Sequence, residues 1–257
     1  MAGGSGTRLK PLTSIINKHL LHVYNKPMIF YSLTLLELSG VNSVLIITNK
    51  KSIKLYKKVI NLGYKGKIKI FFKTQNEPRG IADCFRLSHK FLDRSHKFIL
   101  LLGDNFFYGR DIHNIINKEV TSQNNSNLVF LSPVKNPINY GIANLNKKKD
   151  KIVNIKEKPK NSKSNLAVTG LYIYHKSIFK ISDKLKKSKR GELEISSINN
   201  LLIKKNNLKF NFLGRGTTWF DMGSYSDLFK ASEFVKLMED RQGLEIGSPL
   251  NLKLNDF

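Results

Sequence analysis

Between residues 27 and 134, short apolar runs alternate with segments whose apolar residues recur every three or four positions. SVLIIT at 43–48 has no polar face along most of its length, as expected of a strand buried on both sides. KFILLLGDN (97–105) and NLVFLSPV (127–134) repeat this form, and KIKIFF (67–72) is predicted as a further strand. The spacing predicts helices over 51–61, 80–92 and 111–122. A further helix is predicted over 27–39, opened by Pro27 and stopped by Gly40. Alternating strand and helix predicts an α/β fold with a mostly parallel sheet and helices on both faces.

Past about residue 135 the rhythm changes. YGIANLN (140–146), KIVNIKEKP (151–159) and LAVTGLYIYH (166–175) follow one another as strands joined by short polar turns, which predicts an inserted antiparallel portion. A helix is predicted over 191–205, then strands LKFNFL and TTWFDMG, then a closing helix. No repeat or linker interrupts the chain. It reads as a single domain over 1–257: a first part of about 1–134, the inserted portion about 135–225 and the last helix about 224–240.

Composition narrows the possibilities. Hydrophobic residues make up 40% of the 257 and charged residues 25%, ordinary for a soluble globular protein. No apolar run reaches the roughly 18 residues of a membrane span, and no secretory signal opens the chain. Cys84 is the single cysteine, so a reducing, cytoplasmic setting is expected. A formal charge of +25 raises the question of nucleic acid. The charges are mostly lysines spread along the chain, however, and the aromatics sit inside apolar runs. A solvated lysine surface is the better reading, with neither nucleic acid nor membrane as partner.

The opening segment, MAGGSGTRLKPLT, carries the most chemistry. It is no Walker A motif, because no Gly-Lys-Ser/Thr closes it. It is no dinucleotide fingerprint either, since Leu9 stands where the third glycine would be. Gly3, Gly4 and Gly6 still let backbone N–H groups converge on an anion, Arg8 adds a forked donor and Lys18 a second cation. By this chemistry alone a phosphate cradle and a mobile chain end stand level. Asp104 is equally a strand-end cap or a ligand, and Asp221 alone is any turn aspartate. The six histidines are scattered without metal-ligand spacing, Cys84 lies on an apolar stripe, and Trp219 suits a core or a pocket wall.

Taken in order, GGSGTRLKPLT, GDNFFYGRD, YGIANLN, EKP, AVTGLYIY, RGELEI, WFDMGS and EDRQGL resemble the sugar-1-phosphate nucleotidyltransferases over nearly the whole chain. The likeness is greatest to the branch that makes dTDP-glucose. It implies a Rossmann-like mixed sheet with an inserted antiparallel, sugar-binding portion. The implied reaction is transfer of a thymidylyl group from dTTP to glucose 1-phosphate, with release of pyrophosphate, for deoxysugar synthesis. Uridylyl transfer giving UDP-glucose is the alternative, as is a non-catalytic nucleotide-sugar-binding homologue. Carried over residue by residue, Gly3, Gly4, Gly6, Thr7 and Arg8 bind nucleotide, with Gln75 and the backbone near Gly80 at the base. Arg8, Lys18 and Lys158 are the catalytic cations. Asp104, which also touches nucleotide, and Asp221 are the implied Mg²⁺ ligands. Gly141, Glu157, Lys158, Thr169, Gly170 and Arg190 are the implied sugar-phosphate residues. A homo-oligomer, dimer or tetramer, is also implied.

The chain departs from the family pattern in places. His19 and Asp83 each stand where the family has glutamine, and His22 where it has proline. The family's apolar strand ahead of the glycine loop is not in this sequence, so the chain is expected to begin upstream of Met1. The family's C-terminal segment, used for subunit contacts and feedback, is also short here. Nucleotide choice is thereby less fixed than reaction type.

Overall fold

The computed structural model describes residues 1–4, 6–188 and 191–249. In chain order the elements are β1 (His22–Val23), β2 (Lys26–Pro27), α1 (Met28–Leu38), β3 (Ser43–Thr48), α2 (Lys50–Gly63), β4 (Lys69–Thr74), α3 (Asp83–Leu92), β5 (Lys97–Leu101) and β6 (Asn105–Tyr108). Then come α4 (Ile112–Thr121), β7 (Asn127–Pro133), β8 (Gly141–Leu145), β9 (Ile152–Glu157), β10 (Leu166–His175), α5 (Ile178–Ser182), α6 (Ile195–Lys204), β11 (Leu208–Phe212), β12 (Thr218–Asp221) and α7 (Tyr225–Gln242). Two compact units result. One comprises Met1–Glu77, Leu102–Asn117 and Thr218–Phe257, the other Pro78–Leu101 and Lys118–Thr217. No helix among the described residues is long and apolar enough to cross a membrane.

In the first unit, β3, α2 and β4 form a strand–helix–strand crossover whose strands pair in parallel from Ser43↔Lys69 to Thr48↔Thr74. Asn49 caps α2 by accepting a hydrogen bond from Ser52 N, and the helix turns Tyr56 and Ile60 inward. Helix α1 has no polar face and is therefore covered on several sides. Ile29, Phe30 and Leu33 pack with Ala2, Ile46 and Tyr56, whereas Met28 and Tyr31 join Val23, Phe106, Met222, Ala231 and Val235. Residues 1–2 lie against the end of β3, with Ala2 N donating to Ile47 O at 2.8 Å and Thr48 Oγ1 to Ala2 O at 2.9 Å. Strands β6 and β12 pair antiparallel, and Ser224 caps α7 through Asp227 N.

The second unit holds a sheet in the order β11-β7-β10-β8-β9, with β5 also on β10. A mixed α/β chain is as expected, but a mostly parallel sheet is not: here only β11 and β7 run parallel. The polar turns linking β8, β9 and β10 are too short for crossovers and impose antiparallel pairing. Strand β5 then joins β10 antiparallel as well, from Leu171↔Leu101 to His175↔Lys97. Phe85, Phe98, Tyr174 and Phe179 form an aromatic core beside this pairing. The predicted strand over 97–105 is in fact two, β5 and β6, broken at Leu102–Asp104. Helices α3 and α6 begin at Asp83 and Ile195, three and four residues later than the spacing suggests. The cause is that Arg79–Ala82 and Leu193 bond to each other instead, through Leu193 N to Arg79 O (2.8 Å) and Ala82 N to Leu193 O (3.1 Å).

Candidate active site

The glycine loop of the first unit is ordered by close contacts. A side chain at Gly3 would bring its Cβ within 2.8 Å of Gln75 Oε1, so the loop backbone lies against that buried amide. At Gly4 the same space is open. Gly6 has a left-handed backbone, φ +59°, a conformation costing other residues about 1–2 kcal/mol. Its carbonyl accepts from Leu9 N (2.9 Å) and Thr13 Oγ1 (2.8 Å), closing a 3₁₀ turn over Thr7–Leu9. Leu9 is fully buried and anchors that turn, which leaves Thr7 and Arg8 exposed.

Lys18 stands on a further 3₁₀ turn, Lys18–Leu20, capped by the Asn17 side chain. Its buried ammonium pairs with Asp104 Oδ2. Asp104 Oδ1 accepts from Asn105 Nδ2 at 3.0 Å, and Asn105 Oδ1 accepts from Trp219 Nε1 at 2.7 Å. The β6–β12 register puts Asp221 opposite Asn105, and Met222 N donates to Asp104 O at 2.8 Å. Both aspartates are thus fixed at one end of a short ladder. Burial opposes charge on Asp104, but the paired Lys18 ammonium holds its carboxyl below the usual range. Burial and then the Asp104 charge push Asp221 up to about 6, against the pull of Lys18 and Arg8. A divalent cation would relieve that repulsion, and a hard oxygen donor set suits Mg²⁺. Among the described residues no three His, Cys, Asp or Glu side chains cluster as a metal site. The two carboxylates therefore fit an ion that takes its other ligands from substrate oxygens and water.

His19, the departure beside Lys18, is 3% exposed, and burial pushes its pKa down to about 3. It is neutral at pH 7, with Nδ1 2.8 Å from Asn17 Oδ1 and its ring against Gly103, where an added Cβ would meet Cδ2 at 2.8 Å.

Apart from Arg190, the expected sugar-phosphate residues lie in the second unit. Gly141 pairs with Glu157 across β8 and β9, and a Cβ at Gly141 would stand 3.4 Å from Glu157 Oε2. Lys158 N donates to Tyr140 O at 2.9 Å, and Lys158 has φ +43°, strained for a lysine. Thr169 and Gly170 fall where β10 slips in register against β7, between the pairs Val168↔Leu131 and Tyr172↔Val129. A bulge of this kind re-aims side chains. Thr169 is fully buried, and among the described residues its Oγ1 has no hydrogen-bond partner, a cost that the fold carries. Gly80, with φ +99°, is held by space: a Cβ there would lie 2.6 Å from Leu193 O. Asp83 receives Arg86 Nε at 2.9 Å within its own helix. Arg190 lies outside the described residues.

Sequence reasoning missed several residues. Asn17 Oδ1 accepts from His19 N (3.1 Å) and Tyr56 OH (2.9 Å), and Nδ2 donates to Ala2 O (3.3 Å), so this one amide ties the Lys18 turn to the start of the chain. Asn105 links Asp104 to Trp219. Gly223 underlies Arg8. Gly223 and Asn105 had a signal in their places within WFDMGS and GDNFFYGRD; Asn17 acts through partners far away in sequence.

A sequence profile of the family described as nucleotidyl transferase matches residues 1–237. The glucose-1-phosphate thymidylyltransferase of Neisseria meningitidis serogroup A is 39% identical over 246 residues, covering 96% of this chain and 84% of its own. That of Mycolicibacterium smegmatis is 37% identical over 249 residues, 97% and 85% of the two chains. Among solved structures, a Bacillus anthracis protein assigned as a glucose-1-phosphate thymidylyltransferase, in complex with a sucrose, superposes with TM-score 0.82 at 35% identity, over 91% of this chain and 92% of that one. A UDP-glucose pyrophosphorylase complexed with UDP-glucose shares the fold, with TM-score 0.78 at 22% identity over 92% and 97%.

Proposed function

The chain belongs to the nucleotidyl transferase family, and we propose that it transfers a thymidylyl group from dTTP to glucose 1-phosphate. The observation that carries this reading is the grouping of Arg8, Lys18, Asp104 and Asp221 within one unit, on backbone fixed by hydrogen bonds. Relatives at 36–39% identity that bear the thymidylyltransferase name support the choice of nucleotide.

In the proposed reaction an oxygen of the sugar phosphate attacks the α-phosphorus of dTTP. The bond from that phosphorus to the bridging oxygen breaks, and pyrophosphate leaves with the bond's electrons. No proton need move, so the protein's work is positioning and charge neutralisation. The glycine loop offers backbone N–H groups to the triphosphate. Arg8 and Lys18 balance the charge that builds on the leaving pyrophosphate. Gln75, fixed by its contact with Gly3 and by Gln75 N donating to Thr48 O at 2.9 Å, would read a base edge. Asp104 and Asp221 would hold Mg²⁺, which when bound draws together the phosphate oxygens and lowers their repulsion. In the second unit Lys158 would receive the sugar phosphate, with Glu157 on sugar hydroxyls and Gly141, Thr169 and Gly170 in the loops that line the sugar; by the family resemblance Arg190 is a further sugar-phosphate ligand.

The test is pyrophosphate release with glucose 1-phosphate and Mg²⁺, run separately with dTTP, UTP, CTP and GTP. Release fastest with dTTP is expected. A clear preference for UTP would move the assignment to UDP-glucose synthesis, and no release with any nucleotide by folded protein would overturn it.

A further inference from the structure

Arg8 does not stand free above its turn. A Cβ added to Gly223 would overlap Arg8 Nη2 and lie 3.1 Å from Arg8 Cζ and 3.3 Å from Asp221 Oδ1. The guanidinium therefore rests on the bare backbone of Gly223, beside a carboxylate. Gly223 does not have a positive φ, so conformation does not require glycine there. Space does, and the atom that fills it is the end of the arginine. Two residues on, the Tyr225 hydroxyl lies 3.0 Å from both Leu9 O and Lys10 O and donates between them. The start of α7 thus grips the arginine turn at two points, one under the side chain and one on the backbone that follows it. Met222 N, bonded to Asp104 O, locks the same segment to the other carboxylate.

We infer that Gly223 is a positioning residue, the seat that sets Arg8 beside Asp221, and that Tyr225 steadies the turn carrying it. The inference rests on the reading of Arg8 as a triphosphate ligand. Alanine at 223 meets only side-chain ends, the Arg8 guanidinium in overlap and Asp221 Oδ1 less closely at 3.3 Å, so the fold tolerates it while the guanidinium is displaced. Its effect must then pass through Arg8 and vanish when Arg8 is absent.

The experiment measures dTTP binding in the presence of Mg²⁺ by equilibrium dialysis, for wild type, Arg8→Ala, Gly223→Ala, Tyr225→Phe and each double variant with Arg8→Ala. Thermal melting and the KM values of both substrates are measured alongside. Gly223→Ala is expected to melt with wild type and to weaken dTTP binding by about 10- to 100-fold, the range for one hydrogen bond to a charged group. The KM for glucose 1-phosphate should not change. Combined with Arg8→Ala it should add nothing, and Tyr225→Phe should behave the same way with a smaller effect. Wild-type affinity in Gly223→Ala, alongside weakened Arg8→Ala, overturns the inference, as does an additive loss in the double variant. Should Gly223→Ala fail to fold, Tyr225→Phe decides by the same criterion of additivity. If Arg8→Ala itself binds dTTP as wild type does, the reading of Arg8 fails, and the seat with it.

Discussion

Lys18→Met isolates what the buried ammonium contributes, because methionine keeps the apolar stem and removes only the charge. The Lys18 side chain is 9% exposed and that of Asp104 19%, so the variant strands a largely enclosed carboxylate. Breaking a fully buried pair costs about 3–5 kcal/mol. Partial exposure and the remaining bond from Asn105 reduce this to about 1–3 kcal/mol, or roughly 2–10 °C of melting temperature at this size. The pH dependence has a definite sign. Asp104 has a carboxyl pKa held below its ordinary value, so the pair's contribution is present above the ordinary carboxylate range and fades as pH falls through it toward the lowered value. Melting curves for the two proteins should differ most at pH 7 and converge at low pH. Turnover, followed by pyrophosphate release, should fall by about 10²–10³, typical of losing one preorganised donor to developing charge. A variant that melts with wild type at pH 7 and keeps its turnover would refute both arguments.

Other consequences follow from individual side chains. Thr169→Val removes a fully buried hydroxyl that has no partner among the described residues; it should raise stability by about 1 kcal/mol, read by thermal melts. Lys97, fully enclosed, pairs with Glu119 and donates to Ser122 Oγ (2.9 Å) and Asn124 Oδ1 (2.8 Å); Lys97→Met should cost about 2–4 kcal/mol in urea unfolding, with turnover per folded molecule unchanged. His19 has a pKa of about 3 when folded against an ordinary 6.5, so its contribution to stability is full above pH 6.5 and declines as pH falls toward 3. His19→Gln should flatten that part of the stability profile.

The apolar runs that became β3, β7 and β10 were legible because burial on both faces leaves an unbroken hydrophobic string. The break between β5 and β6 was not, since LLLGDN continues the string and only Gly103, packed on the His19 ring, marks the turn. Nor does local pattern reveal which strands become neighbours: β5 reads like a parallel strand yet lies antiparallel on β10, a choice made by tertiary packing. The candidate site divides likewise. Gly6, Arg8, Asp104 and Asp221 are visible as motif residues, each with chemistry suited to phosphate or metal. Asn17 and Tyr225 gain their roles from partners brought close only by folding, and an isolated asparagine or tyrosine in sequence carries no sign of that.

The most direct test of the central claim follows the α-phosphate itself. With dTTP labelled at that position, glucose 1-phosphate and Mg²⁺, the account predicts label in a sugar nucleotide and none in the released pyrophosphate, with transfer abolished by Asp221→Asn in a chain that still folds. A folded wild-type chain that binds dTTP yet transfers no label to sugar phosphate would contradict it.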